Sequence, residues 1–315
     1  MSGQGWLVLL FAVAVGLGFA SGARGQEAFA PPAAGDLQPP VIAEKCPTPE
    51  TWWENLSFFA GLEASREPQD LGINANFGGN LSANLGFPLL PDIGLGGQVG
   101  TGVNLEHAGV KVLRVIEGTR DREQWFTTAG LFQRSSPWHW GAAFDLEVSS
   151  YYNQFTTGQV RGEAGVQATD RDDVGLWGTA SVFGDSGRLL EVDLHVEPIS
   201  QLSLYWRHEW ESQAMTRIWL GLAESHGTDI IILPDRHLSG VVVTFGLEVF
   251  VPLNDYFVLF GQGNFITPSD TGTLDAYLGL AFYPGGGARR ASSNRFAPVQ
   301  AVANNPTMAL DLQRR

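Results

Sequence analysis

The sequence predicts an all-β chain: an antiparallel, up-and-down transmembrane β-barrel of about twelve strands, with about fourteen as the alternative. Three observations predict it. First, the stretch from Ile73 to Phe87, INANFGGNLSANLGF, alternates without a break. Its odd positions are Ile73, Ala75, Phe77, Gly79, Leu81, Ala83, Leu85 and Phe87, and its even positions are Asn, Ser or Gly throughout. Fully extended it spans roughly 50 Å, more than an ordinary globular strand and more than the ~9 to 11 residues a tilted strand needs to cross a bilayer. Second, shorter runs of the same period recur at nearly even intervals, and no segment shows the 3.6-residue period of a long amphipathic helix. Third, only 17% of residues are charged, Gly occurs 39 times, and Lys stands only at Lys45 and Lys111. A polar face of Asn, Ser, Gln and Gly with so little Lys suits a lumen better than a solvated surface.

Taken in order, residues 1–26 have the shape of a secretory signal peptide. An apolar core runs from Trp6 to Ala20, followed by small residues at Ser21 and Ala23, although no Lys or Arg precedes the core. Residues 27–51 carry Pro31, Pro32, Pro39, Pro40, Pro47 and Pro49 and little to bury, which predicts an extended, disordered linker. Cys46 is the one cysteine, so no internal disulfide and no Cys-based metal cluster can form. The net charge of -14 argues against a nucleic-acid partner, which would require a basic face.

The barrel domain is expected over residues 52–284. Trp52 and Trp53 stand where an interfacial aromatic belt would put them, ahead of a first strand from Leu56 to Ala64. Strands follow at Ile73–Phe87, Leu95–Leu105, Trp125–Leu131, Trp140–Val148, Val160–Ala168, Val174–Val182, Leu190–Val196, Leu202–Trp210, Val241–Val251, Tyr256–Ile266 and Leu274–Phe282. Turn residues separate them, as in Pro88 to Gly94, Ser135 to Pro137 and Leu253 to Asp255. Two weaker candidates, Val110–Ile116 and Thr216–Leu222, would raise the count to the alternative. Strand parity favours leaving Thr216–Leu222 in a long outer loop from about Glu211 to Ser239. Residues 285–315 lack strand periodicity and are expected to form a disordered tail.

From Trp52 to Tyr283 the chain resembles a bacterial outer-membrane β-barrel. TWWENLSFFAGLE and TPSDTGTLDAYLGLAFYPGG resemble a family of uncharacterised, barrel-like secreted proteins. The resemblance implies outer-membrane lipid and the barrel-assembly machinery as partners and the cell outer membrane as location. It brings no activity, cofactor or site residue, and it leaves the oligomeric state open. The tail departs from the common pattern, in which the barrel ends on the aromatic residue of its last strand.

Motifs that could carry chemistry are few. Val182-Phe183-Gly184-Asp185-Ser186-Gly187 resembles the nucleophile block of GDS-type esterases and the GDSG of trypsin-like proteases. A serine nucleophile needs a placed base, and Asp235-Arg236-His237 is one residue short of the D-x-x-H that would supply it. The residues flanking Ser186 read strand, turn, strand, so the motif is expected to be a hairpin turn. His208-Glu209 lacks the second His of H-E-x-x-H because Ser212 stands there. Ser225, His226 and Asp229 fall in the outer loop, and Asp170, Asp172 and Asp173 form an acidic turn rather than a spaced Ca²⁺ loop. No catalytic, metal or cofactor residues are assigned, and no enzyme is expected.

The polar parity of the strands holds the remaining signal. Asp145, Glu147, Arg161, Glu163, Glu191, Asp193, His195, Tyr205, Arg207, Glu209 and Glu248 are expected to line the lumen, with pairs such as Glu147 and Arg161 bracing neighbouring strands. The acidic excess would give an open lumen a weak cation preference. The function expected is therefore a passive, weakly cation-selective pore or an envelope structural protein. The alternatives are a soluble, secreted or periplasmic β-barrel or sandwich that binds a glycan or a protein, its apolar face inward, and a barrel hydrolase.

Overall fold

The structure, a computed structural model, describes residues 52–66, 75–108, 121–189, 191–226, 239–267 and 273–314. The expected signal peptide over residues 1–26, the linker over 27–51 and the weak strand candidate Val110–Ile116 lie outside the described residues. Its strands are β1 (Leu56–Arg66), β2 (Asn76–Leu90), β3 (Leu95–Ala108), β4 (Asp121–Ser135), β5 (Trp138–Ser150), β6 (Gln154–Gln167), β7 (Asp172–Phe183), β8 (Asp185–Leu189), β9 (Val192–Pro198), β10 (Gln201–Glu209), β11 (Met215–His226), β12 (Ser239–Pro252), β13 (Phe257–Ile266), β14 (Leu274–Phe282) and β15 (Leu310–Arg314).

Twelve of these close an antiparallel barrel in the order β1-β14-β13-β12-β11-β10-β7-β6-β5-β4-β3-β2. The seam is β1 against β14, running from Phe58 opposite Phe282 to Arg66 opposite Leu274. Closure leaves no unpaired wall edge. One end, the base, carries the short connections at 91–94, 136–137, 168–171, 210–214 and 253–256, and here β1 begins and β14 ends. The opposite end carries the three-residue connection at 151–153 and the longer ones, among them 184–200 with its inserted hairpin.

Alternation sorts the wall as the sequence reading expects, with the apolar set outward. On β2, Phe77 and Leu81 are exposed while Asn76 and Asn80 are buried. On β4, Trp125 and Leu131 face out, and Arg122, Gln124, Phe126 and Thr128 face in. A soluble barrel with an inward apolar face is the inverse of this arrangement. Gly punctuates the wall where space is shortest: at Gly94 the backbone adopts φ +72° to end the turn after Pro91, with the Arg295 guanidinium against it.

Two expectations are corrected. The strand count holds but its membership changes: the stretch Leu190–Val196 is not part of the wall, and Thr216–Leu222 is. β7 pairs directly with β10, from Gln201 opposite Thr179 to His208 opposite Asp172, so β8 and β9 form a hairpin inserted at the far end. The hairpin's apolar residues Leu189, Leu194 and Val196 pack on Tyr151, Phe155, Leu310 and Leu312 instead of facing outward. β11 takes the vacated place because its inward residues, Arg217 and Trp219, have polar partners inside the barrel. Alternation alone cannot distinguish a strand that pairs in the wall from one that pairs above it.

The second correction concerns residues 285–315, expected to be disordered. Residues 284–309 run from the base up through the lumen, and β15 then pairs with β9, from Leu310 opposite Pro198 to Arg314 opposite Leu194. A strand period was the wrong test for this segment. Its backbone groups are bonded partly by side chains of the wall and partly by short turns within the segment, an arrangement that leaves no periodic trace.

Candidate functional site: a lumen filled by the chain's own segment

The lumen is best built from the wall inward. Arg134, on β4, donates from Nε to the Ala297 carbonyl (3.3 Å), from Nη1 to Ser292 (2.9 Å) and from Nη2 to Pro298 (3.1 Å). Next along the segment, the side chain of Gln98 donates to the Gln300 carbonyl (3.1 Å) and accepts from its N–H (3.3 Å), and Asn84 donates to the same carbonyl (3.0 Å). Arg161 donates to Ala301 (2.7 Å), Thr128 Oγ1 accepts from the Ala303 N–H (2.9 Å), and Gln159 donates to Thr307 (2.9 Å). Gln124 donates to Asn305 Oδ1 at 2.7 Å. Within the segment a single turn of 3-10 helix, Asn305–Thr307, is closed by a capping box between Asn304 and Thr307. Val302, Ala303 and Met308 pack on Phe126, one of the inward aromatic residues. Gly86 makes the closest approach possible, since a Cβ there would lie 2.2 Å from the Phe296 carbonyl oxygen.

Most of these contacts address backbone N–H and C=O groups, which is how a buried segment without a ladder of its own avoids unpaired polar atoms. Arg and Gln serve because they reach from the wall and present several donors in fixed geometry.

The expected lumen residues fall into three groups. Asp145, Glu147, Arg161, Glu163 and Tyr205 are buried inside the barrel. Asp145 is a hub: it accepts from Thr128 (2.7 Å) and Gln159 (3.0 Å), and Arg161 closes on it with Nη2 at 3.1 Å and Nε at 3.0 Å. The expected Glu147–Arg161 brace is replaced by this pair. The register sets Glu147 opposite Thr157 and Arg161 opposite Ala143, which brings the guanidinium diagonally onto Asp145. Glu147 is held by Gln124 at 2.9 Å instead. Nearer the base, Arg217 Nη1 lies 2.8 Å from Glu163, His139 is hydrogen-bonded to Tyr205 (2.8 Å), and Arg207 pairs with Asp173. Glu248, opposite Arg217 across β11 and β12, is half-buried in the same region, and Glu209 is exposed at the base rim.

Glu191, Asp193 and His195 do not line the lumen. They sit on the polar face of the β8–β9 hairpin, where Glu191 and Asp193 pair with the exposed Arg188. The sequence reading missed Arg134, Gln98, Gln124, Thr128 and Gln159; the signal that could have found them was the inward parity of β3, β4 and β6, read for neutral donors as well as charges.

The hairpin also supplies what the serine motif lacked. Ser186 stands opposite His195, with Oγ 3.0 Å from Nδ1, and Glu197 lies 3.9 Å from Nε2. The order of nitrogens is the reverse of the usual triad; Ser186 is exposed, while His195 and Glu197 are half-buried. Asp185 accepts from the Ser186 and Thr156 N–H groups, which is turn chemistry. Ser225 and His226 have no described side chains, and Asp229 and the Asp235-Arg236-His237 stretch lie outside the described residues. In the acidic turn, Asp172 is taken up by His208 (2.8 Å), Thr169 (2.7 Å) and Trp206 (3.0 Å).

The segment that fills the lumen is also part of the domain by descent. Residues 55–310 match the model of a family described as a family of unknown function, DUF6666, and the match runs through the lumen segment to the first residue of β15. The chain belongs to that family. No curated protein matches the chain. Among solved structures it is similar to a KdgM porin at 12% identity, covering 72% of this chain and 98% of the porin with a TM-score of 0.38. A Pseudomonas aeruginosa FadL homologue aligns at 9% identity over 73% of this chain and 89% of its own, with a TM-score of 0.41. Outer membrane phospholipase A from Escherichia coli aligns at 9% identity over 72% and 95%, with a TM-score of 0.37.

Proposed function

We propose that this member of the DUF6666 family is an outer-membrane barrel serving as a structural element of the envelope, its lumen closed by its own residues 284–309. The observation that carries this reading is the run of hydrogen bonds from Arg134 at the base to Gln159 and Thr307, which holds the segment along the barrel interior. The membrane location is supported by the outward face. Leu62, Leu81, Leu105, Leu204, Leu220 and Val241 are all more than half exposed, a surface that water disfavours and acyl chains do not. Around the base, Trp53, Trp138, Trp206, Trp210, Tyr256 and Phe257 point outward, where an interfacial girdle belongs. The short turns that predominate at the base support the periplasm for that end and the outside for the β8–β9–β15 sheet. Its partners in this reading are membrane lipid and the machinery that inserts such barrels, and it carries no enzymatic activity.

The filled lumen disfavours the passive, weakly cation-selective pore, because the acids that would set the preference are spoken for: Asp145 by Arg161 and Glu163 by Arg217. Planar-bilayer recording of the purified protein tests the choice. The full chain is expected to give no stepwise conductance, and a chain ending at Pro284 is expected to conduct. A steady conductance from the full chain, with a cation-selective reversal potential, would return the pore reading to first place. Detergent extraction from envelopes and a heat-dependent shift in gel mobility test the membrane location, and they also report whether the shortened chain folds. Recovery in the soluble fraction with no shift would overturn that location.

A further inference from the structure

Between the lumen segment and the base half of the wall lies a cavity of about 140 Å³. A single water needs roughly 10–15 Å³ on this kind of measure, so the space admits a small organic molecule. One wall is aromatic. Phe59 meets Tyr277 and Phe260 edge-on at 5.3 and 6.0 Å, and Phe250 continues the surface. The other wall carries three guanidinium groups, Arg134, Arg207 and Arg217, against one carboxylate, Glu248. Glu163 and Asp173, which pair with Arg217 and Arg207, lie off this lining.

The three cations differ in what they have left to offer. Arg134 has its donors on segment carbonyls, and Arg207 is engaged by Asp173. Arg217 is only 9% exposed, stacks over the Tyr205 ring at 4.0 Å and gives Nη1 to Glu163, yet its Nε and Nη2 have no acceptor among the described residues. Those two N–H groups are the edge that grips a carboxylate in bidentate fashion, and burial without an acceptor is costly for a charged donor. The stacking and the Glu163 contact hold the group in place before any ligand arrives. A vestibule of about 440 Å³ at the base shares Arg134, Arg207, Met215 and Ser292 with the cavity and gives it an entrance.

We propose that this cavity binds a small organic monoanion, an aryl- or short alkyl-carboxylate. The carboxylate rests on the free edge of Arg217 and the apolar body lies against Phe59, Phe250 and Phe260. Glu248 on the same lining selects against a second negative charge. The site is independent of the membrane location, and the lumen segment is one of its walls.

Isothermal titration of the full-length, detergent-solubilised protein with 3-phenylpropionate and with its neutral amide is the test, with Trp219 fluorescence as a second readout because that ring sits 6.0 Å from the Arg217 guanidinium. The acid is expected to bind saturably at millimolar concentration or below, and the amide at least tenfold more weakly. Arg217→Gln is expected to abolish the preference for the acid. Should that variant fail to fold, Ala281→Leu, which fills the cavity from a small buried residue on its lining, is expected to fold and lose binding of both ligands. Equal binding of acid and amide, undiminished binding in Ala281→Leu, or no saturable binding of the acid at millimolar concentration would each overturn the proposal.

Discussion

Replacing Arg134 by Met keeps the length and apolar stem of the side chain and removes all three donors that hold the base portion of the lumen segment, at 2.9, 3.1 and 3.3 Å. Hydrogen bonds from a charged donor contribute about 1.5 to 3 kcal/mol each, but one guanidinium cannot yield three independent contributions. A loss of about 3 to 5 kcal/mol for local release is the working figure. At about 1.4 kcal/mol per tenfold, amide exchange that proceeds through this release should accelerate roughly one-hundred- to a few-thousand-fold. The effect is confined by the next contacts: Gln98 grips both backbone groups of residue 300, and Arg161 and Thr128 hold 301 and 303. Hydrogen exchange followed by mass spectrometry should therefore show faster exchange over 291–299 and protection retained over 301–309. Unchanged exchange over 291–299 would refute the role given to Arg134. Equal loss along the entire segment would show that it releases as one unit and that separate straps are the wrong picture.

Leu81→Arg, at a residue 53% exposed on the outward face of β2, should cost about 2 to 4 kcal/mol if it lies near the bilayer midplane. The heat-modifiable fraction recovered from envelopes reads this, and normal recovery would remove the membrane-facing assignment of β2. Asp145→Ala strips a buried guanidinium of its partner and should destabilise by about 3 to 5 kcal/mol, measured as a lowered urea midpoint at constant slope; restoration by the double variant Asp145→Ala with Arg161→Met would show that the cost is the orphaned charge. Ser186→Ala should leave hydrolysis of a short-chain nitrophenyl ester by the purified protein unchanged, because the set on the hairpin is a cross-strand hydrogen bond; loss of a measurable activity in a folded variant would make Ser186 a nucleophile.

The barrel wall was legible in the sequence because a polar interior on one side and an apolar outward face on the other imprint a period of two on its strands. INANFGGNLSANLGF is the clearest case, and its odd residues from Phe77 onward lie on the outward parity. The same signal misassigned Leu190–Val196, whose alternation is genuine but serves a small sheet above the wall, and it undervalued Met215–His226, where Arg217 occupies an inward position that partners make tolerable. The lumen segment was illegible for a different reason. Its order comes from donors distant in sequence, with Arg134 reaching residues 158 to 164 positions away, and no local pattern records such bonds. The charged lumen set was half legible: inward parity picked out Asp145, Arg161 and Glu163, but which carboxylate each guanidinium meets depends on register, and register is a property of paired strands.

The passage of residues 284–309 along the lumen changes the arithmetic of the chain's path. Twelve wall strands bring the polypeptide back to the end at which it entered, next to Trp52, and the return through the interior is a thirteenth traverse. The number of crossings is thus odd, and the two flanks of the described domain are delivered to opposite ends of the cylinder. A fusion or epitope placed after Arg314 would be carried at the end away from one placed before Trp52. The path also constrains assembly: closing the β1–β14 seam first leaves the segment to be threaded through a finished ring, and laying the segment first makes it a mandrel around which the wall is wound. Either way the domain is a needle and its thread in one molecule, and the last step of its folding has to reconcile the two.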